Sequence, residues 1–303
     1  SELRKVIPSF LQRVDLPDRG GDWSAYLAET RDGTRRAVDR LLHEDGGDRD
    51  GISCTPAPAE VILVDFDPDG EDKVLAAIAF EHGDLSEHDA LERVRRLSAD
   101  DRRALLTAYV GDRTNRRHRP GRAFERTGYR FELVTDYGAF RDLQRHRILT
   151  IDWQPLSAGL GYDLPDLVQE TGEADTWTSA MERSADLHAA LSSRFAGQAA
   201  YAIALAFRVR YVMQMNARET MHVVELRSGP QGHPSYRRVA QQMHQAIDRV
   251  AGHRLIAGAM SYVDHGDGGL GRLDALARAS ARHPSPNGNG RPNLQAADQG
   301  TLQ

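Results

Sequence analysis

Hydrophobic periodicity switches from two to about three and a half at two places in this chain, and that pattern limits what it can fold into. Tyr129 to Val134 alternates as a strand does, and helical patterning follows from Tyr137 to Arg147. Phe207 to Met215 alternates again, with Arg208, Arg210 and Met213 falling on differing faces. Asn216 to Arg227 then reads as a helix, ended by Ser228-Gly229-Pro230. Strands that lead into amphipathic helices bury their apolar sides against one another, so helices must lie against a sheet.

The rest of the chain is mostly helical in pattern. Leu3, Val6, Ile7 and Phe10 suit one helix face, and Asp22 precedes a helix carrying Trp23, Tyr26, Leu27, Val38, Leu41 and Leu42. A Gly/Asp-rich linker runs from Asp45 to Ser53. Val61 to Val64 reads as a strand, Lys73 to His82 as helix or strand, and Ser86 to Leu97 as a helix. Ser98 caps the next helix, with Asp101 three residues on completing a capping box. A loop holds Trp153, Pro155 and Gly159 to Gly161. Helix resumes from Asp166 to about Ala200, broken near Gly172, and again from Pro234 to about Val250. From Gly266 the chain is rich in Gly, Pro and Asn, and beyond Arg282 it reads as a disordered tail. The expected organisation is a helical region with a small β element at 1–110, a core domain at 111–263 and a low-complexity tail at 264–303.

Composition excludes several classes. Cys54 is the only cysteine among 303 residues, so no disulfide framework exists. No run of ~18 uncharged apolar residues is present to span a membrane as a helix. The first residues lack the apolar core of a signal peptide. The expectation is a cytoplasmic protein that does not enter membranes. Lysine occurs only at Lys5 and Lys73, leaving 39 − 2 = 37 arginines. Six of them, Arg113, Arg116, Arg117, Arg119, Arg122 and Arg126, surround His118. With a net charge of −5 there is no global basic field to draw in nucleic acid, so the run reads as a phosphate-gripping or acid-paired loop. His188, His222, His233 and His244 have no metal-ligand spacing and no carboxylate completes a set, so no metal is expected.

Two short stretches carry the chemistry. Arg145-His146-Arg147 stands at the end of the expected 137–147 helix, where cations favour the helix dipole. On the 216–227 helix, Arg218, His222 and Glu225 share a polar stripe, while Met215, Val223 and Leu226 form an apolar stripe that should face the core. Taken together, and with Ala123-Phe124-Glu125 placed 20 residues before Arg145, these resemble the flavin-dependent thymidylate synthase family, ThyX. That family carries an R-H-R-x-x-S-x-N-E-x-S-x-R signature and a later N-x-R-x-x-x-N/H-x-x-x-L-R helix, which Asn216 to Arg227 matches without a gap. The resemblance covers about 111–263.

It implies an α+β fold with a mixed or antiparallel sheet flanked by long helices. It implies FAD held by Arg145, His146, Arg147, Asn216, Arg218 and His222, and a pyrimidine nucleotide ionised by Arg227, with Thr150 as a further hydroxyl contact. The implied activity transfers a methylene group from methylenetetrahydrofolate to dUMP and reduces it, with NADPH as electron source. A homotetramer, or a second ThyX-like repeat in a longer chain, is the implied assembly, and the N-terminus suits a downstream half. The signature departs after Arg147: Asp152-Trp153 replaces Asn-Glu, Pro155 the second Ser and Ser157 the terminal Arg. Losing that arginine removes a charge-assisted contact worth ~1.5–3 kcal/mol. The alternatives are a catalytically degenerate flavin- or nucleotide-binding or structural domain, and a flavoenzyme acting on another pyrimidine.

Overall fold

The computed structural model describes residues 2–12, 14–42, 60–267 and 271–282. The linker expected at 45–53, Cys54 and the tail beyond Arg282 lie outside the described residues. The chain divides into two units, Ser1–Gly51 and Ile52–Gln303.

The first unit contains α1 (Glu2–Val6), α2 (Pro8–Leu11) and α3 (Gly21–Leu42). Pro8 starts α2, so the face expected over 3–10 is split at Ile7, as proline's fixed φ and missing N–H would have it. Trp23 stacks on Tyr26 at 5.6 Å, and both side chains are exposed.

The second unit begins with β1 (Val61–Phe66), α4 (Gly70–His82), α5 (Glu87–Val94) and α6 (Ala99–Val110). The expected Ser98 cap forms, its Oγ accepting from Asp101 N at 3.1 Å, and Ser86 Oγ caps α5 in the same way by accepting from Asp89 N at 3.1 Å. A 3-10 turn at Arg122–Arg126 leads to β2 (Gly128–Asp136) and α7 (Tyr137–Leu143). Then come β3 (Thr150–Trp153), α8 (Asp166–Glu170), α9 (Ala174–Ser192) and α10 (Ala196–Ala199). β4 (Arg208–Asn216) runs into α11 (Ala217–Arg227), followed by α12 (Pro234–Arg249), α13 (Arg254–Ala259) and α14 (Gly271–Arg282).

The four strands form one antiparallel sheet in the order β1-β2-β4-β3. The fold is α+β, as expected. Alternation fixes the register. Tyr129, Phe131 and Leu133 of β2 sit opposite Met215, Met213 and Tyr211 of β4, and all six are buried. Each such side chain contributes about 1.5–3 kcal/mol by burial, so a one-residue slip would forfeit on the order of 10 kcal/mol. The opposite sheet face is polar, with Arg210 paired to Glu132 at 3.5 Å. The inner face packs under Val223 and Val224 of α11, Val239, Met243 and Ile247 of α12, and Val74, Leu75 and Ile78 of α4.

Four sequence expectations change. Helix α7 stops at Leu143, so Arg145-His146-Arg147 occupies the turn beyond it. Trp153 is no loop residue: Thr150–Trp153 pairs with Gln214–Tyr211 as an edge strand, which its mixed polarity concealed. The core face of α11 is made by Ala217, Thr220, Met221, Val223 and Val224, while Leu226 is only half-buried and Met215 belongs to β4. Finally, Gly271–Arg282 is helical where low-complexity chain was expected, because its Leu, Ala and Arg residues are strong helix formers.

Candidate functional site

β2 begins and β4 ends at the same edge of the sheet, and the site is built there. Gly128 faces Asn216 across the two strands. A Cβ on Gly128 would lie 2.8 Å from the Met215 carbonyl oxygen, so the approach requires glycine. Asn216 then turns strand into helix. Its Oδ1 accepts from Glu219 N at 2.9 Å, and its carbonyl accepts from Thr220 Oγ1 at 2.8 Å. An open cleft of about 640 Å³ lies beside this junction, lined by Asn216, Thr150, Ile148, Leu149, Tyr129 and Glu125 among others.

Helix α11 and the turn after α7 converge. The turn that follows Leu143 drops His146 against α11, where its side chain is almost wholly buried. His146 Nε2 accepts from Arg227 Nε at 3.0 Å. An Nε2 that accepts leaves the ring proton on Nδ1, which lies 3.4 Å from Glu219 Oε1. Glu219 is itself 5% exposed. Its carboxylate, the imidazole and the Arg227 guanidinium therefore form a line from the first turn of α11 to its last. Arg227 is held from two further sides: Nη2 donates to the Asp142 carbonyl at 2.6 Å, and the guanidinium lies over the Tyr236 ring at 5.4 Å. Burial pushes its pKa down, and the Asp142 carboxylate opposes that push. A guanidinium stays charged regardless.

His222 stands edge-to-face with His146, ring centroids 5.4 Å apart. Its Nδ1 is 2.9 Å from Arg119 Nη2. Burial first, then the Arg119 cation, push the His222 pKa down to about 4, so the ring is neutral at pH 7 and accepts from Arg119.

The remaining expected residues fall around this cluster. Arg218 Nε donates to the Pro120 carbonyl at 3.0 Å and its Nη1 is 3.5 Å from Glu125 Oε1. Arg145 is 3.4 Å from Asp142 Oδ1, and Arg147 is exposed. Thr150, at the start of β3, lines the cleft. Sequence reasoning missed Glu219, Asp142 and Tyr236, and it named Arg119 only as part of the basic run, without its contact to His222. Glu219 lies one residue past Arg218 on the helix, and its burial was its only distinguishing property.

The expectation that no carboxylate completes a histidine set is corrected: His146, Glu219 and His222 each place a ligand-type atom within 4.8 Å of the others. The sequence hid this because His146 comes from another element. One ring nitrogen of each histidine already meets a guanidinium, His146 Nε2 that of Arg227 and His222 Nδ1 that of Arg119, and two such cations repel a third.

The model of the thymidylate synthase complementing protein family (Thy1) matches residues 62–251. The chain belongs to this family. Among curated relatives, a UPF0159 protein of Chlamydia muridarum is 32% identical over 281 residues, covering 93% of this chain and 51% of the relative. A UPF0159 protein of Thermoplasma acidophilum is 34% identical over 227 residues, covering 74% of this chain and 45% of the relative. The chain thus spans about half the length of the curated relatives it matches. Among solved structures, the UMP/dUMP methylase PolB from Streptomyces cacaoi bound with 5-Br UMP has a TM-score of 0.51 at 19% identity, covering 67% of this chain and 96% of PolB. That likeness concerns the fold. The Thy1 fold with its antiparallel sheet is the one the motif resemblance implied. No described helix is long and apolar enough to cross a membrane.

Proposed function

We propose that this domain binds a flavin and a pyrimidine nucleotide and takes part in FAD-dependent methylation of dUMP to dTMP, with methylenetetrahydrofolate and NADPH as co-substrates. One observation carries the reading. His146 and Arg227 come from two motifs 81 residues apart and are joined at 3.0 Å. Membership of the Thy1 family supports it.

The residues present fit a flavin nucleotide. The cleft volume lies within the range of small-molecule sites. Tyr129, Leu149 and Met215 give it apolar surface, and Asn216 and Thr150 give it polar atoms. Arg145, His146, Arg147, Asn216, Arg218 and His222 would hold FAD, which when bound supplies the reducing electrons. Arg227 would serve the pyrimidine. Its Nε and one Nη2 proton are engaged by His146 and the Asp142 carbonyl, and Nη1 lies 3.6 Å from Asp142 Oδ1, which sets the plane of the fork. The remaining N–H groups can then stabilise negative charge on a uracil N3–C2–O2 edge, and that charge activates C5 as a nucleophile.

A second reading, a degenerate domain that binds without turnover, is favoured by one feature. Pro155 and Ser157 offer no phosphate-binding cation where the family signature has Ser and Arg. The flavin spectrum of purified protein, followed by tritium release from 5-labelled dUMP, separates the two. The methylation reading expects yellow protein and tritium release, with Arg227→Ala losing release while keeping its flavin. Yellow protein without release supports the second reading, and protein that takes up no FAD refutes both. A homotetramer, or pairing with a second repeat of a longer chain, is part of the proposal, and light scattering tests it.

A further inference from the structure

We infer that the loop at 113–119 is a clamp for a phosphoryl group, formed by Arg116 and Arg119 with Arg117 beside them. Sorting the arginines of this run by partner shows why. Arg113 is paired with Glu225, Arg122 and Arg218 with Glu125, and Arg126 with Glu87. Arg116, Arg117 and Arg119 have no carboxylate within ion-pair distance among the described residues. Three like charges within four residues repel one another, and an uncompensated group of this kind is stable only with an anion or in open water.

Arg117 and Arg119 are exposed and Arg116 is half-buried, so the cations are open to an incoming anion, while the loop that carries them is held from beneath. Arg113 and Glu225 form a two-bonded ion pair, 2.7 Å on each side, with side chains 3% and 1% exposed. The same guanidinium donates to the His118 carbonyl at 2.6 Å, and Nη2 reaches the Arg116 carbonyl at 3.4 Å. Asn115 Oδ1 accepts from Arg117 N at 2.9 Å, and Asn115 Nδ2 meets His118 Nε2 at 2.8 Å. Arg119 is braced against neutral His222, which places the loop beside the His146–Arg227 cluster. Burial pushes the Arg116 pKa down, Glu225 opposes, and the Arg119 and Arg117 cations push it further down.

Two or three planar forks suit a phosphoryl group, which carries up to two charges and several acceptors, whereas one fork already satisfies a carboxylate. Glu125 and Asp112 flank the loop, so the cation patch is too short to track a nucleic-acid backbone. The clamp rests on the functional reading above only for its location, and it would stand in for the arginine that Ser157 replaces. The phosphoryl group can come from the nucleotide monophosphate or from the flavin pyrophosphate.

The test is calorimetric titration of the purified chain at low ionic strength, repeated at higher salt, with inorganic phosphate, pyrophosphate, dUMP, FAD and a short oligonucleotide. It compares wild type with R116A/R119A and R119K, with R103A as a surface control and thermal melts to check folding. Phosphate or pyrophosphate binding should weaken about tenfold or more in R116A/R119A and less in R119K, and stay unchanged in R103A. R119K keeps the charge and loses only the fork, so it serves if the double variant does not fold. Whichever of dUMP and FAD weakens in parallel names the donor. Failure of wild type to bind phosphate and pyrophosphate overturns the clamp, as does unchanged binding in R116A/R119A or binding of oligonucleotides alone with a steep salt slope. Because phosphate binding is read without turnover, loss of methylation activity leaves this result untouched.

Discussion

Glu225→Gln is the sharpest test of how the site is held. It keeps the side-chain shape and removes only the charge opposite Arg113. Both groups are buried, and Glu225 Oε1 also accepts from Tyr262 N at 3.3 Å, while Arg113 lies 5.1 Å over the Tyr262 ring. Removing one partner of a buried pair leaves an uncompensated charge, a cost of ~3–5 kcal/mol. The amide still accepts one hydrogen bond, which argues for the lower end, about 3 kcal/mol. For a domain this size that is a large share of the total stability of ~5–15 kcal/mol. The assay is a double-mutant cycle in urea with Glu225→Gln, Arg113→Ala and both together. Each single variant should lose about 3 kcal/mol or more. The double should cost little more than the worse single, giving a coupling energy near 3 kcal/mol. Single variants within 1 kcal/mol of wild type, or additive losses, would refute the view that this pair holds the 113–119 loop.

Three further outcomes follow from the geometry. Asn216→Ala should lose about 1 kcal/mol by denaturation even without ligand, because its Oδ1 caps α11; an unchanged midpoint would assign it to ligand alone. Glu219→Gln should lower turnover through misplaced His146 and Arg227, and a shifted pH profile with unchanged KM would mark it as a positioning residue; wild-type kinetics would contradict that role. His222 has a folded pKa below its unfolded value, so the native state binds fewer protons: stability is full above about pH 6.5 and falls as pH drops toward 4. With solvent screening the loss is about 1–2 kcal/mol, and it should vanish in His222→Gln; an identical pH slope in that variant would count against the assignment.

How much of this was legible beforehand depends on the kind of signal. Strands β2 and β4 and helices α11 and α12 were written in periodicity and capping, because alternation and helical spacing act within a few residues. Edge strand β3 was not, since one paired neighbour and a half-solvated face impose little pattern on Thr150–Trp153. The end of α7 was also missed. Arg145-His146-Arg147 continues good helix-forming residues, and only the buried place waiting for His146 beside α11 ends the helix early.

The sequence by itself determined the β2–α7 and β4–α11 units, the face of the sheet that is buried, and the two motifs that place the chain in its family. Those follow from local propensity and from which side chains avoid water. Tertiary structure alone decided which charges meet. Glu219, His146 and Arg227 form one line, Arg113 finds Glu225 across 112 residues, and Arg119 reaches His222 across 103. Which arginines of a basic run are neutralised and which are left for an anion is a matter of long-range contact, and sequence spacing carries no record of it.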